Sequence, residues 1–450
     1  MANWQLVAQD LTTIGLRIID DRHQCQKLSS DFHHFSPILT KQLGGKQADL
    51  VVVAYSEAEI ITLVRYCVAK QIPVTVRGAG TGNYGQAVPL QGGIILDVSQ
   101  MQTIVELQPG RAIAEPGVKL AKLDQQAQAM GWELRMAPST YQTATLGGFV
   151  GGGSAGMGSI TYGLLAEPGN IQALRVVTMA ADPQVLTLEG TATQAVLHAY
   201  GTNGIITQIT LPLAPALPWA EAIVDFNDLS TAIAFAEDLA ACGGIVKKEI
   251  AVHAAPIPQY FAALQAHVHP NRHWVMVIVA AGDWGALTEK VAAYQGNLFA
   301  QHFPQRGGKK LNLLEFNWNH TTLLARAVDP HITYLQVFYQ NREQVLALNQ
   351  LFGDEVMTHL EIMRVNGKVC LGGLPLVRFS NAERLQEIIA IHQAMGASIA
   401  NPHVYTLEEG SSQPLPPDQL RLKYQTDPFG LLNPGKMRSF SINRLGNHGR

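Results

Sequence analysis

Eight glycines fall within the seventeen positions from Gly147 to Gly163, and no other feature of this 450-residue chain restricts its folding so strongly. Glycine loses more backbone entropy on ordering than any other residue, so such a run is kept where the backbone must closely approach another segment or a flat ligand. A flexible linker would space its glycines with polar residues; here Leu146, Phe149, Val150, Met157 and Ile160 interleave with them. The segment therefore reads as ordered and packed. A second concentration lies upstream, where Gly78, Gly80, Gly82 and Gly85 occur directly after the strand-like run Val74-Thr75-Val76. Gly80, Gly82 and Gly85 satisfy the dinucleotide fingerprint, but that motif needs a helix at once to receive a pyrophosphate. Pro89 and two further glycines follow instead. What remains is a compact nest of amides beside Arg77, which suits phosphate oxygens without a helix dipole.

The flanking pattern is mixed. Leu50-Val51-Val52-Val53 reads as a strand, and Ser56 through Glu59 form a capping box that starts a helix with Ile60, Leu63, Val64, Cys67 and Val68 on one face. Short strands are predicted at 94–96, 103–107 and 111–114, a helix over 118–130, a hairpin at 174–177 and 185–188, and a strong strand at 205–211. The stiff joint Leu213-Ala214-Pro215-Ala216-Leu217-Pro218 marks a domain boundary near 215. Beyond it, predicted helices at 229–241 and 342–352 precede strands at 245–250 and 368–371, as in a helix-covered antiparallel sheet. The tail from Ser441 to Arg450 is polar and reads as frayed.

Lys and Arg number 32 against 35 Asp and Glu, a net charge of −3, which provides no field to hold a nucleic acid. Four scattered cysteines show no metal or redox spacing, and the amino terminus lacks the basic and apolar regions of a leader. No apolar run approaches the length of a membrane helix, so a cytoplasmic protein with no transmembrane segment is expected.

Four stretches taken together resemble a known family: Val76-Arg77-Gly78-Ala79-Gly80-Thr81-Gly82; Ala137-Pro138-Ser139 through Thr145-Leu146-Gly147-Gly148 to Tyr162-Gly163; Tyr200-Gly201-Thr202-Asn203-Gly204-Ile205-Ile206-Thr207; and Asp427 through Lys436. They occur in the order found in the FAD-linked oxidase superfamily of vanillyl-alcohol oxidase and p-cresol methylhydroxylase, above all its glycolate oxidase and D-lactate dehydrogenase members. The resemblance implies an α+β fold: a two-lobed FAD-binding domain of the p-cresol methylhydroxylase (PCMH) type at 44–214, an antiparallel-sheet-and-helix cap domain for substrate at 215–425, and a segment at 426–440 returning to the flavin. It implies that Arg77, Gly78, Ala79, Gly80, Thr81, Gly82 and Asn83 surround the pyrophosphate. Pro138, Ser139, Thr145, Gly147, Gly148 and Ser154 would line the flavin channel, Gly201, Gly204, Ile205 and Ile206 would meet the adenine or ribose, and Asn433 and Lys436 the flavin's far side. The implied reaction is hydride transfer from the alcohol carbon of a small 2-hydroxy acid, such as glycolate or D-lactate, to FAD, with a quinone or carrier as electron acceptor.

The chain departs from the family at two places. Thr81 stands where some members tether the flavin through histidine, so noncovalent FAD is expected. No His-x-Gly-Asp-Gly-Asn-x-His run is present, and Ala400-Asn401-Pro402-His403-Val404-Tyr405 replaces the usual Gly-Glu-His-Gly, so no metal is expected. Alcohol oxidation requires a base near the hydroxyl and, for an acid, a cation for the carboxylate. His320, in the polar cluster Asn317 to Thr322, and His403 are the candidate bases, Arg326 and Arg364 the candidate cations, and Tyr405 lies on the replaced motif. His267, His269 and His273 read as a polar loop. Two rival readings remain: a sugar or polyol oxidase of the same superfamily, and a flavin-holding subunit that depends on a catalytic partner.

Overall fold

The structure, a computed structural model, describes residues 2–300, 312–411 and 414–441. Of the closing tail only Ser441 is included; the expectation for 442–450 lies outside the described residues. The first sheet has the strand order Arg17–Ile19, Leu50–Val53, Ile94–Asp97, Val74–Arg77, with the last three parallel. Its crossover helix Glu57–Lys70 starts at the predicted cap. Ser56 accepts from the Glu59 amide at 3.3 Å, and Glu59 accepts from the Tyr55 amide at 2.7 Å. The five predicted apolar positions of this helix are all buried, because only that face meets the sheet. A second, antiparallel sheet runs Ile104–Gln108, Arg111–Ala114, Ile205–Pro215, Ala173–Val177, Val185–Glu189.

The glycine-rich segment contains two helices that were not predicted, Leu146–Gly152 and Ser159–Tyr162. Glycine's poor helix propensity is overridden in the first by the Thr145 cap, which accepts from the Gly148 amide at 3.3 Å, and by burial of Leu146, Phe149 and Val150.

Beyond Pro215 the chain enters an eight-stranded sheet in the order Asn297–Ala300, Trp219–Phe226, His273–Ala280, Lys247–His253, His359–Val365, Lys368–Gly373, Val337–Tyr339, Ser398–Ile399, antiparallel throughout. Strand alternation divides its residues between two faces. Val224, Val252, Val275, Val277 and Leu360 pack under the helices Leu229–Ala241, Arg342–Phe352 and Ala382–Ala394. Ile223, Trp274 and Met276 face the opposite way, against Phe261, Phe316 and Ala325. That second face carries the helix Asn319–Val328, and with it one wall of the site.

The chain's end returns to the first sheet: the Val74 amide donates to Leu431 and the Asn433 amide to Val74, so residues 431–433 lie along the edge strand Val74–Arg77. No helix among the described residues is long and apolar enough to cross a membrane.

Candidate active site

A cleft of about 1100 Å³ separates the two glycine segments from the cap sheet's helix Asn319–Val328. That volume lies just above the ~300–1,000 Å³ usual for ligand sites, and suits a long cofactor with a substrate beside it. Gly78, Ala79, Gly80, Thr81, Gly82 and Asn83 all line it. None of their backbone amides donates to a protein acceptor among the described residues. All six residues are partly exposed to the cleft, so six unpaired amides in succession along its wall are available as a cradle for anionic oxygens.

Close approach explains the glycines here. A Cβ on Gly78 would sit 2.2 Å from Thr145 Oγ1, and one on Gly82 would sit 2.1 Å from Gln86 Oε1. Gln86 also donates to the Gly152 carbonyl at 3.1 Å, joining the first glycine loop to the second.

Arg77 is turned away from the anion cradle and braces it. Its guanidinium donates to the carbonyls of Leu28 (2.8 Å), Ser30 (2.6 Å) and Ala79 (3.3 Å), and burial holds its pKa below the ordinary value against the pull of Asp97 and Asp31. Pro138, Ser139, Thr145, Gly147, Gly148, Ser154, Gly201, Gly204 and Ile206 line the cleft. Three expected cofactor contacts do not. Ile205 is fully buried in the first domain's core. Asn433 bonds the carbonyls of Gln86 and Tyr200 at 2.9 and 2.6 Å, and Lys436 donates to the Gly85 carbonyl at 2.6 Å. Both therefore clamp the cradle from behind. Burial lowers the Lys436 pKa to about 7 despite the favourable charge of Asp31.

On the opposite wall stand Leu314, Trp318, Asn319, His320 and Gln336. His320 occupies the first turn of its helix, and burial lowers its pKa, with the Leu314 carbonyl opposing the shift. At neutral pH the imidazole is uncharged and competent to accept a proton. Trp318, just before it, has φ +54° and ψ −141°, a conformation that costs a residue with a Cβ about 1–3 kcal/mol. Uncharged hydrogen-bonding groups connect the walls. Asn83 donates to the Tyr334 hydroxyl at 2.6 Å, and Gln336 donates to the Tyr84 hydroxyl. Burial pushes Tyr84 up to about 12 and Tyr334 well above its ordinary value, so both remain hydroxyls.

The other candidates for catalysis lie off the cleft. His403 is buried, bonded through Nδ1 to Ser36 Oγ at 2.8 Å and through Nε2 to the Tyr334 carbonyl at 2.9 Å; with both nitrogens engaged it cannot serve as a base. Arg326 donates to the Ile332 carbonyl at 2.5 Å and lies over the Phe35 ring. Arg364 is spent on the carbonyls of Ile160, Gly367 and Ala240. Tyr405 packs behind the cradle, beside the Lys436 ammonium. Contacts missed from sequence are Tyr84, Gln86, Tyr334 and Gln336; the first two sit in the glycine loop itself, whereas nothing local marks the last two.

His403 also has a consequence for stability. Burial lowers its pKa to about 4, below the ordinary 6.5, so its contribution is complete above pH 6.5 and is lost as pH falls from 6.5 toward 4. Over that interval about 3 kcal/mol is at stake. Urea unfolding at pH 7.5 and 4.5 should show a loss roughly 2 kcal/mol smaller in His403→Gln than in the parent. An equal loss in both proteins would refute this account of His403.

Residues 48–189 match the FAD binding domain family. The chain is 28% identical over 185 residues to the glycolate oxidase subunit GlcD of Escherichia coli K12, covering 39% of this chain and 36% of that protein. It is 29% identical over 178 residues to a D-lactate dehydrogenase of Archaeoglobus fulgidus, covering 37% and 39%. The chain thus spans little more than a third of the length of these relatives. Among solved structures, alkyldihydroxyacetonephosphate synthase superposes with a TM-score of 0.73 at 16% identity, covering 97% of this chain and 85% of its own, a likeness of fold. The unpaired amides of residues 78–83, in a loop whose Gly78 and Gly82 pack directly against the Thr145 and Gln86 side chains, fit the pyrophosphate of such a cofactor. Residues 48–189 thus match an FAD binding domain, and the chain as a whole shares the fold of alkyldihydroxyacetonephosphate synthase.

Proposed function

We propose that this chain is an FAD-dependent dehydrogenase that oxidises an alcohol carbon, with FAD held noncovalently. The reading rests on one observation: a single cleft joins an unpaired amide cradle to a neutral imidazole, His320, on the facing wall. Bound FAD supplies a two-electron acceptor for the hydride on the carbinol carbon. His320 takes the hydroxyl proton, while Asn83, Asn319 and Gln336 offer hydrogen bonds that orient the substrate. The names of the relatives support a small 2-hydroxy acid, such as glycolate or D-lactate, as substrate; the final acceptor in this reading is a quinone or carrier. The reading places the protein in the cytoplasm, in keeping with four unpaired cysteines.

A specific observation favours a second substrate class. Among the described residues lining the cleft, Arg77 is the one arginine or lysine, and its guanidinium is committed to backbone carbonyls. A neutral sugar or polyol needs no cation and suits the amide and hydroxyl lining. The deciding experiment is the visible spectrum of the purified protein under anaerobic conditions, with D- and L-2-hydroxy acids, polyols and sugars in turn, followed by denaturation and filtration. Bleaching by one acid, with free FAD in the filtrate, supports the first reading, and bleaching by polyols alone supports the second. A bound flavin that nothing reduces would point instead to a subunit dependent on a partner. Absence of flavin, even after reconstitution, would overturn the proposal.

A further inference from the structure

Beneath the cleft wall, the paired strands Lys247–His253 and His359–Val365 bring four ionisable side chains together on one sheet face. Register sets His253 opposite His359 and Ala251 opposite Glu361, with Glu249 two residues along on the same face. All four are buried, with Glu361 and both histidines fully so. The alternate residues, Ile250, Val252, Leu360 and Ile362, enter the apolar core on the other side. Such a face would ordinarily be apolar, and no lysine or arginine among the described residues bonds either carboxyl group.

Both carboxyl groups instead grip Trp318. Glu361 Oε1 accepts from the Trp318 backbone amide at 2.5 Å and from His359 Nε2 at 2.9 Å, and Glu249 Oε2 accepts from the Trp318 indole at 3.3 Å. One turn into the helix, Thr321 Oγ1 donates to the Phe316 carbonyl and lies 3.3 and 3.4 Å from the ring nitrogens of His253 and His359. The two rings stack at 4.6 Å. Burial pushes both carboxyl groups up, Glu249 well above its ordinary value with the facing Glu361 adding to the shift, and Glu361 to about 7 against the opposing bonds from Glu249 and the Trp318 amide; in either protonation state each keeps an oxygen that accepts from Trp318. The residue so held is the one with φ +54°, a conformation that glycine would adopt freely and tryptophan does not. It is also a cleft residue, adjacent to Asn319 and His320.

We propose that Glu361 and Glu249 are positioning residues for the substrate-side wall: by gripping the two N–H groups of Trp318 they hold residues 318–320 in the backbone conformation that presents Trp318, Asn319 and His320 to the cleft. The grip is a property of the chain alone, and only its effect on turnover rests on the flavin reading.

The test compares Glu361→Ala, which removes the acceptor, with Glu361→Gln, whose amide oxygen can still take both donors. Each full-length protein is labelled with 5-fluorotryptophan, and the Trp318 resonance among the six tryptophans is assigned by its absence in Trp318→Phe. FAD affinity and the rate of flavin reduction by the substrate found above are then measured. Expected are a shifted or broadened Trp318 resonance and at least a thirtyfold slower reduction in Glu361→Ala, FAD affinity within about threefold, and recovery of both resonance and rate in Glu361→Gln. An unmoved resonance in Glu361→Ala overturns the grip. A moved resonance with a normal rate, or failure of Glu361→Gln to restore the rate, overturns the positioning role. If Glu361→Ala does not accumulate, Glu361→Asp, one methylene shorter, makes the same comparison. If no substrate reduces the parent's flavin, the functional reading fails, and the resonance decides the grip independently.

Discussion

Gly80→Ala is expected to purify colourless, with FAD affinity reduced at least ~100-fold, equivalent to about 3 kcal/mol or more. Two constraints act at this position. Its φ is +68°, in the left-handed region where a Cβ is strained, and that Cβ would sit 2.1 Å from Arg77 Nη2. The guanidinium is anchored on the carbonyls of Leu28 and Ser30, so the loop must give way instead. Moving the loop scatters the amides of residues 78–83, and those amides are the cradle. Gly243→Ala is the control, because it has no positive φ and nothing within 4 Å of the added carbon. Equilibrium titration with FAD checks the pair; a yellow Gly80→Ala with the parent's affinity would mean that the loop does not carry the cofactor's phosphates.

The second large effect is expected at His320. His320→Gln should bind FAD as the parent does but reduce it about 10²–10⁴-fold more slowly, the range for loss of a general base. The parent's rate should fall on the acid side as His320 gains a proton. Its pKa is lowered by burial, so that limb lies below pH 6.5, and it should vanish in His320→Gln. His403→Gln and Arg326→Met should stay within about threefold of the parent, since neither side chain lines the cleft. Stopped-flow reduction under anaerobic conditions separates these cases. Normal reduction by His320→Gln would remove it from the chemistry.

These contrasts follow from what local sequence can encode. The helix Glu57–Lys70 was legible because its cap and buried face both lie within fifteen residues, and the hairpin from Ala173 to Glu189 because its strands and turn are contiguous. The first glycine loop could be told from a Rossmann motif because no helix follows it where that motif needs one, and none forms there. The helix Leu146–Gly152 was not, since its glycines oppose it and only the burial of Phe149 and Val150 by distant residues outweighs them. His320 was singled out through its polar neighbours, and it lines the cleft. The same reasoning raised Arg326, six residues along, whose guanidinium is captured by Ile332.

The sequence by itself marked two glycine segments where the backbone must approach something closely, and both line the cleft, whereas FAD came from four motifs in the order of a known family and is supported by the match of residues 48–189. The break in composition near residue 215 falls where the chain leaves the strand Ile205–Pro215 and enters the eight-stranded sheet. Only the tertiary structure decided which polar side chains reach the cleft. Lys436, Asn433 and His403 became braces because their partners, Gly85, Gln86 and Ser36, lie hundreds of residues away. The grip of Glu361 and Glu249 on Trp318 arises because two strands more than a hundred residues apart pair in a register that places both carboxyls under one helix. A side chain's role depends on who meets its polar atoms, and that is set by packing between segments remote in the chain.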